Sequence, residues 1–151
     1  MKYFRPNKEG IDKLIKVIKS PKKHFVMGSF AEDYFNRSGK SCGTAYCIAG
    51  WAAVLNGKAE DAVEGPVLLR EMLAPKSKDY RVDEYTAASA NFREEVFRLW
   101  NGGDIELHEF DKMPEKARKT IAIEVLEHFA KTGKVEWRKI ARKHGYTDRR
   151  D

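Results

Sequence analysis

Residues 45–55, AYCIAGWAAVL, hold no charged side chain in a chain where 34% of residues are charged. A segment polar on no face belongs inside a fold, with other elements packed around it. It is too short to span a bilayer, which takes about 20 apolar residues. The stretch reads as a buried central helix over about 44–56. Thr44 serves as its N-cap, accepting from the free N–H of Tyr46 or Cys47. Asn56-Gly57 closes it. Gly50 in mid-helix costs about 1 kcal/mol against Ala, so another backbone is expected to approach there. Ala45, Ala49 and Ala53 give a small-residue face, and Cys47, Ile48, Trp51, Val54 and Leu55 supply bulk.

Two chemical readings compete with packing. Cys47 in the opening turn would feel the helix dipole, which lowers a thiol pKa and favours a nucleophile. Cys42 is the lesser candidate, and a base would have to come from His24, His108, His128 or His144. None of these sits in a protease signature, although Cys-Gly-x-x-x-Cys before a tryptophan loosely resembles the surroundings of the papain nucleophile. Cys42 and Cys47 as half of a zinc site lack a second pair of ligands, so no metal is expected. The preferred reading makes Cys47 a small core residue, since free cysteine is among the most buried types.

The residues Cys42, Gly43, Thr44, Cys47, Ile48, Ala49, Gly50, Trp51 and Ala52 form the pattern CGTxxCxAGxA. It resembles a motif of small uncharacterised proteins from bacteria and their phages. In that group a leucine-rich helix follows, then a segment similar to residues 125–137. The resemblance implies a shared fold and a phage or mobile-element origin, and it carries no activity with it.

At 151 residues the chain is expected to form one domain, 1–151, with a substantial core. A mean hydropathy of −0.63 fits a protein in water. Two cysteines are too few for a secreted disulfide scaffold. Met1 to Pro6 lack the apolar run of a signal peptide, so a reducing cytoplasm is the expected location, with no membrane segment. The net charge of +6 permits an acidic partner without demanding one.

Elsewhere, helical spacing dominates. Asn7 caps a first helix with Ile11, Leu14, Ile15 and Ile18 inward and Lys8, Lys13, Lys16 and Lys19 outward, ending at Ser20-Pro21. Gly65-Pro66 opens a third helix that stops at Pro75. A fourth runs from Asp83 to about Asn101, with Gly102-Gly103 after it. Residues 103–110 imitate the back half of a calcium loop, but Arg98, Trp100 and Gly102 fall where oxygen ligands belong, so a short extended connection is expected instead. Pro114 opens a long helix to Thr132, on which Glu124 and His128 stand four apart as a candidate pair. The last helix, about 135–144, carries Arg138, Lys139, Arg142 and Lys143. Only six residues follow Gly145, so a recognition helix for sequence-specific DNA reading has no room. Gly39-Lys40-Ser41 lacks the upstream glycine and strand of a phosphate loop.

The expected fold is therefore mainly α, a single-domain bundle of five or six helices around the central one, with no confident strand. The expected function is that of a non-catalytic interaction or regulatory protein. Its partner is a host protein or a nucleic acid bound without sequence specificity, through Lys13, Lys16, Lys19, Arg138, Lys139, Arg142 and Lys143. No cofactor is expected. The alternative is a hydrolase or transferase with Cys47 as nucleophile, and Cys42 and His128 as the further catalytic candidates.

Overall fold

Asn7 starts α1 (Lys8–Lys19) as its spacing demands: the side chain accepts from Glu9 N at 3.2 Å, filling one of the free N–H groups of the first turn. Ile11, Leu14 and Ile18 are buried on its inner face. The computed structural model describes residues 5–21, 23–27, 32–35, 41–57, 65–75 and 87–148, with backbone alone for 32–35, 41–46 and 87–89. These residues are mainly helical: α2 (Ile48–Leu55), α3 (Gly65–Leu73), α4 (Ala87–Asn101), α5 (Leu107–Asp111), α6 (Glu115–Thr132) and α7 (Trp137–Lys143) follow α1. The predicted start of α4 at Asp83 lies outside the described residues.

The middle of the uncharged segment is enclosed, its end at Leu55 is exposed where core packing was expected, and it is not one helix. Residues 47–53 are buried, and α2 packs against α1, α3 and α4. The segment's first two residues, Ala45 and Tyr46, close a strand, β3 (Ser41–Tyr46), the middle of a three-stranded sheet ordered β1-β3-β2. β1 (His24–Phe25) pairs with it in parallel, His24 opposite Ala45 and Phe25 opposite Tyr46. β2 (Glu32–Phe35) pairs antiparallel, with a register shift between Asp33 and Phe35. Thr44 therefore does not cap α2. Its backbone lies within the sheet, and the chain turns helical only at Cys47, whose sulfur accepts from Gly50 N at 3.4 Å. The expected helix at 44–56 begins four residues later, at Ile48, because the sheet recruits the backbone of residues 41–46 first.

Close approach of another backbone occurs at Gly65 and Gly10. A methyl group built on Gly65 would run into the carbonyl oxygen of Ala49, and one on Gly10 into that of Met72. These two notches let α3 lie directly against α2 and α1, an approach a larger residue at either position would block.

The count of helices exceeds five or six because residues 107–111 form one turn, α5, where an extended connection was expected. Phe110 N donates to Glu106 O at 2.9 Å, and the turn swings Phe110 inward to meet the rings of Phe25 and Trp137 edge-on. Burial of that ring outweighs the poor helix-forming record of so short a segment. α6 ends at Gly133, whose φ of 73° provides the left-handed residue a helix stop favours.

Arg118 of α6 ties the sheet to this layer. Its buried guanidinium donates to Phe25 O at 2.9 and 3.1 Å, and to the carbonyls of Asp111 and Met113. Glu115 accepts from Phe25 N and Asp111 from Met27 N. Side chains of α6 thus satisfy the Phe25 backbone of β1, and Asp111 of α5 that of Met27 just after it, which shields an edge that would otherwise invite another strand.

Candidate basic interaction surface

Lys13, Lys16 and Lys19 are exposed on α1. Among the described residues none of the three makes an ion pair or hydrogen bond through its ammonium group. Their spacing of three residues steps them across the outward face, each about 60° from the last at 3.6 residues per turn. From Lys13 to Met27 the sequence contains no acidic residue. Glu9 and Asp12 confine the mixed charge to the first turn and a half of the helix.

The basic face continues onto α6 in a way no periodicity predicts. Lys119 donates to Ser20 O at 2.9 Å and to Lys23 O, clamping the end of α1 to α6. Burial holds its ammonium below the usual lysine value, and Glu115 at 3.9 Å works in the opposite direction. Lys116, one turn earlier, and Lys23 are exposed beside it. Lys23 Nζ lies 5.9 Å from the Trp51 ring centroid.

α7 carries its charge differently. Arg138 grips Asp148 with two bonds of 2.7 and 3.1 Å, and the Asp148 side chain is fully buried. Tyr146 donates to the same carboxylate at 2.6 Å and accepts from Glu106 N at 2.8 Å. Burial first, and donation to Asp148 second, push the Tyr146 hydroxyl up to about 12, so it stays a donor. Lys143 meets Glu124 at 3.1 Å. Arg142 has a partner, and Lys139 stands exposed on the ridge between two shallow grooves.

Glu124 does not pair with His128. It accepts from His144 at 2.7 Å as well as from Lys143, while His128 pairs with Glu136 at 2.8 Å. Partners four apart on one helix lose here to partners delivered by the turn after Gly133. Desolvation raises the Glu124 carboxyl, but hydrogen bonds from Lys143 and His144 outweigh it and hold the group below its ordinary value.

The two basic helices lie on different sides of α6. Glu115 and Lys119 face the end of α1, whereas Glu124 and His128 face α7 and its approach. At 3.6 residues per turn these two pairs occupy opposite flanks.

Cys47 is 2% exposed, and burial pushes its thiol up; the backbone N–H of Gly50 acts in the other direction but more weakly. The carboxylate that acts on it, Asp111, also opposes ionisation. His24, one strand away, is engaged with Glu115 at 3.2 Å, and Trp51 donates to its carbonyl. Cys42, Gly43 and Thr44 lie in β3, and their side chains are outside the described part of the structure. No group of three His, Cys, Asp or Glu residues able to hold a metal occurs among the described residues.

A groove of about 640 Å³ runs between the end of α4 and the approach to α7, with Phe97 half exposed at its rim. Glu94, Asp104 and Glu136 share its lining with Arg98 and Lys139, so its charge is mixed. No helix among the described residues is long and apolar enough to cross a membrane. No protein-family model, curated protein or solved structure matches the chain.

Proposed function

We propose that this chain is a non-catalytic binding protein that engages an acidic macromolecular partner through its basic surface. The contrast between two sites carries the reading. Among the described residues Lys13, Lys16 and Lys19 of α1 are exposed without internal partners, whereas the thiol of Cys47, the first candidate nucleophile, is buried at the start of α2. Free cations raise the local concentration of an anionic partner and steer its approach. A thiol raised by burial lacks the thiolate that nucleophilic chemistry requires. The likeness of residues 42–52 to small bacterial and phage proteins is the reason for placing the partner in a bacterial host.

Iodoacetamide treatment of the folded protein, mapped by peptide mass, tests the exclusion of chemistry. Cys47 stays unmodified at neutral pH and reacts only in denaturant. Rapid alkylation in the folded state would revive the nucleophile reading. Retention on an anionic matrix, released by moderate salt, tests the binding half, and passage without retention at low salt removes it.

A further inference from the structure

The reading above leaves the partner's chemistry and the contact face open, and the distribution of charge narrows both. We infer that the partner is the phosphate backbone of a nucleic acid duplex, and that the contact face is the outer side of α1 with Lys13, Lys16 and Lys19, extended by Lys23 and Lys116. This rests on the proposed binding function.

Two observations set α1 above α7. Among the described residues Lys13, Lys16 and Lys19 meet no carboxylate, whereas on α7 Arg138 and Lys143 are matched to Asp148 and Glu124, with Lys139 the exposed exception. A guanidinium held at both ends by a fully buried carboxylate has little left to offer an outside anion. The clamp of Lys119 on Ser20 O and Lys23 O then fixes the end of α1, so the lysine row sits on a supported helix and not on a frayed one. From Lys13 to Lys19 the helix runs about 9 Å, a length over which duplex DNA presents several phosphates.

The side chains argue for phosphate and against a protein surface. Protein interfaces are built around apolar and aromatic anchors and are depleted in lysine. The outward face of α1 offers no such anchor: Ile11, Leu14 and Ile18 are spent on the core, and Ile15 and Val17 are partly buried against it. Compact, flexible ammonium groups suit contacts that position a backbone without reading bases.

Fluorescence anisotropy of the full chain with a labelled duplex DNA, a duplex RNA and poly-aspartate, over a salt series, tests the inference. Contacts from three to five of these lysines predict a log–log salt slope of about −3 to −4.5 for duplex DNA. The K13E/K16E/K19E variant should flatten that slope and weaken binding by at least about tenfold, since each lysine lost removes roughly one unit of slope. The K139E/R142E variant should bind within about twofold of the parent, its charges lying outside the predicted phosphate contacts. Circular dichroism melts confirm that both variants fold. If K139E/R142E loses as much as the α1 variant, the assigned face is wrong while the binding function stands. If only poly-aspartate binds, and does so through α1, the phosphate assignment falls and the binding function stands. If none of the three binds at the lowest salt, both fall.

Discussion

The first and last helices of this chain read alike in sequence, yet among the described residues α7 pairs all its cations but Lys139 internally and α1 pairs none from Lys13 to Lys19. On α7, Arg138 is locked to a fully buried Asp148, Lys143 to Glu124, and Trp137 lies fully buried below them. On α1 the lysines between Lys13 and Lys19 close no internal pair among the described residues. Charge density alone therefore says little about binding. What separates a surface from a structural joint is whether the chain itself brings an anion to the cation, and for α7 it brings Asp148 and Glu124.

Trp137 carries the largest expected effect. Its ring fills the space between α4, α5 and α7, and its indole N–H donates to the carbonyls of Arg98 and Leu99, satisfying the free end of α4. Trp137→Ala should cost about 3–5 kcal/mol in urea unfolding, the range for a buried aromatic removed from a core. A loss below 1 kcal/mol would mean that α7 is an appendage, and its cations would again compete with those of α1.

Asp148 is next. Removing one partner of a buried ion pair leaves the other unpaired, and Asp148→Ala should cost about 3 kcal/mol, since the arginine and the Tyr146 hydroxyl both lose their acceptor. The informative measurement is a double cycle with Arg138→Met. Strong coupling, with the double variant recovering part of the loss, marks a structural pair; additive losses would free Arg138 for an external anion.

Glu124 sharpens the contrast at its weaker end. Its carboxyl is held below the ordinary glutamate value of 4.5, because hydrogen bonds from Lys143 and His144 outweigh the cost of burial. A depressed carboxyl stabilises the fold above the unfolded value and loses that contribution as pH falls through the folded one. The stability gap between the parent and Glu124→Gln should thus be present near neutrality, shrink below pH 4.5 and vanish in stronger acid. The group is a third exposed, so the gap is small, as it is for surface pairs generally. A gap that persists unchanged into acid would show that the carboxylate charge contributes nothing to docking α7.

Legibility in the sequence followed the range of the interactions involved. Asn7, the spacing of Ile11, Leu14 and Ile18, and the glycine after Thr132 are local signals, and they located α1 and α6 well. The middle of the uncharged segment was recognised as buried, but residues 44–46, expected to open the helix, were misassigned. Ser41 to Tyr46 lack the alternation of a half-buried strand, and their partners, His24-Phe25 and residues 32–35, are distant or unremarkable in sequence. Phe110 fixed α5 through rings far along the chain, so no local pattern announced that turn. The partners that define the candidate surface are of the same kind. Asp148 for Arg138 and Glu124 for Lys143 are set by packing, so these two appeared equivalent to the other candidate cations until the fold separated them.

The smallest expected effect decides whether the α1 lysines serve the helix or a partner. Lys16 and Lys19 lie in the last turn, where cations complement the helix dipole. Lys13 lies outside that turn, so the dipole does not account for it. If Lys16 and Lys19 exist for the helix, Lys16→Ala/Lys19→Ala should be less stable at low salt, and the deficit should close as salt screens the dipole. If they are held free for an external anion, the dominant internal term is repulsion within a chain of net charge +6. The variant should then be as stable as the parent or slightly more so at low salt, and the parent should gain more from added salt. Thermal unfolding of both proteins across a salt series reads the sign directly. A parent that is the more stable of the two at low salt would return these lysines to the helix and remove the asymmetry with α7.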